Sequence, residues 1–372
     1  MLLIKLFLSL ILTFIFSFCV YSAENLTVSA SSAILINAET LQVIFEKDAH
    51  SRHSMASTTK IMTSIIAIES GRLGEIVTAK NIVTEGTSIG LKDGYKLSLE
   101  SLVCGMLLES GNDAAKLTAD YLAGSEEAFA DIMNNKADEI GMRNTNFVTA
   151  SGLDDEMHYS TAYDMALLGA YVVNNPIFKE FCSAKRKTVQ YDYPSIKVTF
   201  YNHNKLLSMF DGVFGLKTGF TKKSGRCLVS ACERNGVTLI AVTLNAPDDW
   251  NDHIRLYKYG YKNIFREKIS FRLPEHVKIF GGVKDSLPIN ENLNSMLYSY
   301  SGEKGKLLQK VYLPDFLYAP IKKGEIIGRV ELIKDGIKVG VEPITASMDI
   351  DSVEPADDTP FIIKFFKKIF SK

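Results

Sequence analysis

The sequence predicts two domains of different class, a mixed α/β domain followed by a smaller all-β one. Three observations carry this. Apolar alternation around turn residues marks hairpins at 33–45 and 226–242. Helical apolar spacing recurs between them, from Lys60 to Asn174. Beyond about residue 266 the pattern changes to short strand-like runs separated by Gly, Pro, Asn and Asp. A chain of 372 residues fits two such domains.

The first hairpin pairs Ala33-Ile34-Leu35-Ile36 with Leu41-Gln42-Val43-Ile44-Phe45 across the polar turn Asn37-Ala38-Glu39-Thr40. Lys60 to Ile68 is apolar enough for a buried helix that stops near Gly71. A second helix runs from Leu99 to Glu109 after Ser98, and its pattern fails at Ser110-Gly111-Asn112, which reads as a loop carrying polar groups into a cleft. Helix resumes from Asp113 to Tyr121, with an acid in its first turn, where the dipole favours one. Glu126 to Ile140 is capped by Ser125 and ended by Gly141. Thr161 and Asp164 form a capping-box pattern for a helix toward Asn174, with Pro176 beyond it. Asn235-Gly236 joins the strands 226–231 and 237–242. In the second domain, Asp335-Gly336 centres a hairpin over 330–341.

Composition excludes several functions. The formal charge is −1 and no basic patch with interleaved aromatics occurs, so nucleic acid is not expected as a partner. His50 and His53 make an H-x-x-H that no third ligand completes, so neither a metal nor another cofactor is expected. Cys104, Cys182, Cys227 and Cys232 read as buried thiols rather than a disulfide scaffold. Cys227 and Cys232 are an odd number apart in one strand and should leave opposite faces.

Both termini read as targeting segments. Lys5, the apolar run Leu6 to Val20 and the small pair Ser22-Ala23 make residues 1–23 a secretory signal. An uncleaved membrane anchor is the competing reading, because the run approaches spanning length and Tyr21 is bulky three residues before the cut. At the other end, stepping 361–372 at about 100° per residue gathers the apolar side chains into one arc and the four lysines into the remainder, as in a helix lying in a membrane interface. The acidic stretch Asp349 to Asp358 reads as a linker to it. The expected plan is therefore residues 24–266 catalytic, 267–355 an all-β pedestal and 356–372 an amphipathic anchor. Such a protein is exported and peripheral to the outer face of the cytoplasmic membrane.

Three short motifs supply chemistry: Ser57-Thr58-Thr59-Lys60, Ser110-Gly111-Asn112 and Lys217-Thr218-Gly219. Residues three apart share a helix face, so Ser57 and Lys60 point together at a helix N-terminus that favours developing negative charge. Ser57 is the candidate nucleophile and Lys60 its general base, which requires a lowered lysine pKa from burial or from a cation such as Lys217. Ser110 can relay a proton to a leaving amine, Asn112 can orient Lys60 and a substrate amide, and Lys217 can hold a carboxylate. Gly219 lets a substrate backbone come close.

In that order and spacing the three motifs resemble the penicillin-recognising serine enzymes. The chain is most similar to the low-molecular-weight D-alanyl-D-alanine carboxypeptidases. The likeness extends to Ser54-Met55-Ala56, Leu107-Leu108-Glu109, Gly152-Leu153-Asp154-Asp155, His158-Tyr159-Ser160-Thr161-Ala162-Tyr163-Asp164 and Gly215-Leu216 through Thr221. It implies an antiparallel sheet flanked by helices. It also implies Thr218 with Lys217 on the substrate's terminal carboxylate, and the N–H groups of Phe220 and Ser57 as oxyanion hole. The implied substrate is the peptidoglycan stem peptide, and β-lactams are the implied inhibitors. The arginine that many relatives carry after the Lys-Thr-Gly hairpin has no clear match in Asn245 to His253, and His203 lies where basic side chains also occur in relatives.

An endopeptidase cutting cross-links would use the same site. A β-lactamase would need a glutamate followed four residues later by asparagine, which Glu126, Glu127, Glu139, Glu156 and Glu180 all lack. A non-catalytic wall-binding scaffold would be expected to have lost one of these groups, and all are present.

Overall fold

The computed structural model describes residues 26–82, 85–268, 271–289, 296–300, 307–334 and 336–353. The expected signal segment, Cys19 and the expected anchor lie outside the described residues. The chain divides into two compact units, one of residues 1–35, 45–232 and 241–259, the other of 36–44, 233–240 and 260–372.

The chain opens with β1 (Ser32–Asn37) and β2 (Val43–Lys47), whose turn is closed by Asn37 Oδ1 accepting from the N–H groups of Glu39 and Thr40. A 3₁₀ turn, Ala56–Thr59, then leads into α1 (Lys60–Glu69). Nearly every side chain of α1 is buried, because it packs against several other helices. After the short strands β3 (Ile76–Thr78) and β4 (Lys96–Ser98) come α2 (Leu99–Leu108), α3 (Asn112–Ala123), α4 (Glu126–Ile140), α5 (Ala162–Val172) and α6 (Pro176–Ser183). α1 contacts α2, α3 and α5. The caps are those the sequence specifies: Ser98 accepts from Ser101 N–H, Ser125 from Ala128, and Thr161 from Asp164, while Gly141 closes α4 in the left-handed conformation.

Strands β5 (Arg186–Tyr193) and β6 (Ile196–Tyr201) extend β3 and β4 into a four-stranded sheet. After the short helix α7 (Leu206–Met209), β7 (Val213–Thr221), β8 (Gly225–Arg234) and β9 (Val237–Leu244) join the first hairpin in a sheet of order β2-β1-β9-β8-β7. The β8–β9 turn has positive φ at both Asn235 and Gly236, the conformation that an Asn-Gly hairpin turn requires. Cys227 and Cys232 are buried, and neither is in a disulfide. α8 (Asp249–Asn263) follows.

Four expectations need correcting. Asn112 is the first residue of α3 rather than the end of a loop, so its side chain is set by a helix. The Thr161–Asp164 box is half made, because Asp164 Oδ2 accepts from Asn144 N–H and Thr145 Oγ1 instead of reaching back. Lys217-Thr218-Gly219 lies inside β7 at the edge of the five-stranded sheet rather than opening the strand pair; the extent of β7 ahead of the motif is set by pairing with β8. Residues 349–353 belong to the second unit and not to a linker: Ile350 bridges Ile321, and Ser352 bridges Gly282.

Between Ile264 and Val353 the described residues form strands and turns only. These are β10 (Ile264–Lys268), β11 (His276–Phe280), β12 (Ser286–Pro288), β13 (Met296–Tyr300), β14 (Leu307–Tyr312), β15 (Phe316–Tyr318), β16 (Ile326–Lys334) and β17 (Ile337–Thr345). Their shared core includes Val277, Ile279, Leu287, Ile321, Val330, Leu332, Ile344 and Ile350.

The start of the first unit is pinned by Asp252 on α8. Its fully buried carboxylate accepts from Ser29 N–H at 2.8 Å, Ser29 Oγ at 2.6 Å and Ala30 N–H at 3.1 Å, and it pairs with Arg255. Asp252→Ala leaves these donors without a partner, so it should cost roughly 2–3 kcal/mol in a urea unfolding series. A loss below about 0.5 kcal/mol would mean that water or a neighbour replaces the carboxylate.

Candidate active site

The 3₁₀ turn sets Ser57, the candidate nucleophile. Ala56, just before Ser57, has φ +47°, and Ser110 has φ +63°, conformations that side-chain-bearing residues rarely adopt and that concentrate at functional sites. Thr58 and Thr59 turn their hydroxyls back to donate to the carbonyls of Met55 and Ala56 at 2.6 and 2.8 Å. Ser57 and Lys60 are thereby left facing the same side. Ser57 precedes α1 rather than belonging to it.

Lys60 Nζ donates to Ser57 Oγ at 2.9 Å, to Asn112 Oδ1 at 2.7 Å and to the carbonyl of Ser151 at 2.6 Å. As an ammonium it has an acceptor for each of its three protons, none of them a carboxylate; as a neutral amine it keeps two protons and its lone pair can accept from the Ser57 hydroxyl. Burial lowers its pKa well below the ordinary lysine value; Lys217 adds to this and Asp113 opposes it. The hydrogen-bonding groups hold the amine in place, and the dry surroundings favour its neutral form.

Asn112 is held from two sides: its Nδ2 donates to the Glu85 carbonyl at 2.7 Å, and its N–H donates to that of Thr87 at 2.8 Å. Asp113 fastens the adjoining loop, accepting from Ser88 Oγ at 2.6 Å and from the N–H groups of Ile89 and Leu91 at 3.0 Å. The Ser151 carbonyl is placed by the segment 150–152. A Cβ on Gly152 would lie 1.9 Å from the Ala56 carbonyl oxygen, and its φ is +84°, so only glycine permits this approach. Below it, His158 Nδ1 accepts from Val148 N–H at 2.9 Å, which puts the ring proton on Nε2, 2.8 Å from Thr59 Oγ1. Burial pushes the His158 pKa down to about 4, so the ring stays neutral and structural.

The edge strand β7 forms the facing wall. A Cβ on Gly219 would meet Ser57 N at 3.0 Å and Thr58 N at 3.1 Å, so the strand lies directly against the backbone of Ser57. Lys217 is buried, donates to the Thr218 carbonyl at 3.0 Å, and has its pKa lowered to about 7 by burial. Phe220 is exposed. Ser57, Ser110, Thr218, Gly219 and Phe220 line one open cleft of ≈ 360 Å³. The structure therefore brings together all eight site residues that the sequence singles out.

The same cleft holds five residues that the sequence does not single out: Thr87, Lys205, Arg226, Asp249 and Trp250. Arg226 on β8, opposite Phe220 in the β7–β8 register, brings an arginine to the cleft from outside the stretch Asn245 to His253. It pairs through Nη2 with Asp249 at 2.8 Å and lies over the Trp250 ring at 5.4 Å. Desolvation raises the Asp249 pKa, against the pull of Arg226. Arg255, the nearest arginine in sequence, is spent on Asp248 and Asp252. The available signal was the hairpin itself: Thr221 to Gly225 is a tight turn that puts Arg226 across from the motif. His203 also lines the cleft, its Nε2 3.1 Å from Glu109 Oε2. The Ser151 carbonyl has no side-chain signature and could not be read.

Residues 20–248 match the D-alanyl-D-alanine carboxypeptidase family, and residues 261–352 match the family of the penicillin-binding protein 5 C-terminal domain. The chain belongs to the D-alanyl-D-alanine carboxypeptidase family. It is 29% identical over 340 residues to D-alanyl-D-alanine carboxypeptidase DacF of Bacillus subtilis, covering 88% of this chain and 87% of that one. It is 30% identical over 364 residues to the DacC carboxypeptidase of Escherichia coli, covering 91% and 89%. Penicillin-binding protein 5 of Haemophilus influenzae is a similar solved structure, with a TM-score of 0.66 at 25% identity, covering 88% of this chain and 98% of that one.

The carboxypeptidase's two buried lysines make stability depend on pH in a stated direction. A lysine whose folded pKa lies below its unfolded value binds fewer protons folded than unfolded, so it penalises the fold at low pH and the penalty lifts as pH rises. For Lys217 the window runs from about 7 to the ordinary 10.5. Lys217→Met should therefore be more stable than the parent at pH 6, with the advantage shrinking steadily toward pH 10 in parallel urea titrations. A difference that does not change with pH would mean that Lys217 keeps an ordinary pKa.

Proposed function

We propose that this chain is a serine D-alanyl-D-alanine carboxypeptidase that removes the terminal D-alanine from peptidoglycan stem pentapeptides. One observation carries the assignment of roles: a buried lysine whose neutral form is favoured lies 2.9 Å from the Ser57 hydroxyl. Ser57 Oγ attacks the carbonyl of the penultimate D-alanine while its proton passes to Lys60 Nζ. The carbonyl oxygen takes up negative charge against the N–H groups of Ser57 and Phe220. The C–N bond then breaks as the departing amine gains a proton by way of Ser110, which releases D-alanine and leaves an ester on Ser57. Water hydrolyses the ester with Lys60 again taking the proton, and a β-lactam stops at the ester.

Asn112 orients both Lys60 and the substrate amide in this reading, and Lys217 with Thr218 receives the terminal carboxylate. Arg226 adds a second cation to that end of the cleft. Asp249 and Trp250 hold it at a fixed angle, and its side chain is still 41% exposed to an incoming anion.

The leader and tail support export and peripheral attachment to the outer face of the cytoplasmic membrane. Four lysines and a broad apolar arc within 361–372 are the features of an interfacial helix. Protein lacking residues 359–372 should leave the membrane fraction while its turnover of a soluble peptide stays nearly unchanged; retention on the membrane would point to the N-terminal segment instead.

The assignment of the nucleophile predicts a covalent penicillin adduct on the peptide containing Ser57, and Lys60→Ala should abolish that adduct without unfolding the domain. Labelling at another residue, or undiminished labelling of Lys60→Ala, contradicts it. Arg226→Leu should raise KM for a D-Ala-D-Ala peptide by roughly tenfold or more, the worth of one charge-assisted pair, with a smaller change in kcat. An unchanged KM would remove Arg226 from carboxylate binding.

A further inference from the structure

The second unit carries an outward-facing aromatic surface. Strand β11 alternates strictly, with Val277 and Ile279 buried in the core and His276, Lys278 and Phe280 exposed. Its parallel partner β15 sets Phe316 beside Lys278 and Tyr318 beside Phe280. Phe280, Phe316 and Tyr318 are 52%, 43% and 71% exposed. Even so, their rings touch, with centroids 5.2 Å apart for Phe280–Phe316 and 5.5 Å for Phe316–Tyr318. Three aromatics in mutual contact on the solvent side of a sheet are unusual for a face that meets only water.

The place where the chain leaves the domain indicates what this face meets. Val353 N–H donates to the Gly281 carbonyl at 2.8 Å, and Val283 N–H donates to that of Asp351 at 2.9 Å. The exit strand therefore runs beside Phe280, and Val283 and Val353, themselves 62% and 56% exposed, extend the apolar surface to the exit. Only residues 354–360 separate this point from Phe361, the first apolar residue of the tail. Seven residues span at most about 25 Å when fully extended. Exposed Lys278 and Lys284 border the aromatics and suit anionic headgroups. Rings with one apolar body and one polar tip, as in Tyr318, are the side chains that settle at a headgroup boundary.

We propose that the face formed by Phe280, Phe316, Tyr318, Val283 and Val353 seats the second domain directly on an anionic lipid surface, as a second contact beside the tail. The inference rests on the reading of residues 361–372 as a membrane anchor. In this arrangement the tail recruits the protein, and the aromatic face fixes the domain against the bilayer instead of leaving it on a loose tether. Two weak contacts on one surface multiply, because the second forms at the high local concentration set by a short linker.

The test uses residues 24–372 with vesicles of equimolar phosphatidylglycerol and phosphatidylcholine. Phe280→Ser/Phe316→Ser/Tyr318→Ser should weaken vesicle binding by roughly tenfold or more, with hydrolysis of a soluble peptide and the circular dichroism spectrum unchanged. Phe316→Ala alone should give a smaller loss in the same direction. In Tyr318→Trp, the added emission should be quenched by bromine-labelled acyl chains. Binding equal to the parent's, or no quenching at position 318, overturns the inference. Self-association of the parent that the triple substitution abolishes, at unchanged vesicle binding, would do the same and assign the face to a second copy. Deleting residues 359–372 separates the two readings: if that deletion leaves binding intact the anchor reading fails, whereas the triple substitution tests the aromatic face alone.

Discussion

Two lysine side chains buried a short distance from each other, with no carboxylate paired to either among the described residues, are the constraint around which the first domain is built. Burying an ammonium costs several kcal/mol unless it is paired, hydrogen-bonded or deprotonated. Lys60 meets that demand with three neutral oxygens, and those oxygens come from three separate parts of the chain. The Ser57 hydroxyl comes from the 3₁₀ turn, the Asn112 amide from the start of α3, and the Ser151 carbonyl from the segment ahead of α5. Each must arrive within hydrogen-bonding distance for the amine to be tolerated. The packing that makes the site stable is therefore also the packing that makes it reactive, since a neutral amine is a base and an ammonium is not.

Several local features follow from this. Gly152 is required because its neighbour must deliver a carbonyl to Lys60 while its own α-carbon passes against the Ala56 carbonyl. Gly219 is required on the opposite wall, where β7 presses on the backbone of Ser57. His158 is a histidine in the catalytic layer that does no acid–base work: its ring is locked by Val148 and Thr59 and supports the turn from beneath. The basic side chains at the open end of the cleft are placed differently from the buried lysines. Arg226 and His203 are each partnered by a carboxylate, Asp249 and Glu109, and stay half exposed. They can meet an anion without the desolvation cost that depresses the pKa of Lys60 and Lys217.

Much of the fold was legible because the sequence signals are local. The caps at Ser98, Ser125 and Thr161, the stop at Gly141 and the Asn235-Gly236 turn each satisfy backbone groups within a few residues, so pattern and structure agree. The motif residues were legible for a different reason, since their order and spacing match a family to which the chain belongs. What stayed hidden depends on pairing between distant segments. The extent of β7 ahead of the motif is not visible in the sequence, because it is set by pairing with β8 across the hairpin. Arg226 was overlooked because the search followed the chain toward Asn245, whereas the functional neighbour lies across a hairpin. The linker reading of Asp349 to Asp358 begins too early because Asp349 and Asp351 look like linker residues, although Ile350 between them is a core side chain.

The central claim is that burial shifts Lys60 toward its neutral form, and that this shift lets it take the proton of Ser57. It is tested most directly by following the Nζ and Cε resonances of Lys60 by NMR across a pH titration of the folded protein, with Lys60→Arg to assign the signal. The account predicts a midpoint well below the ordinary lysine value of 10.5, in the direction that burial and the nearby Lys217 charge both impose. A midpoint at or above 10.5 would mean that Lys60 is an ammonium when the substrate arrives, and the proton acceptor for Ser57 would have to be sought elsewhere in the cleft.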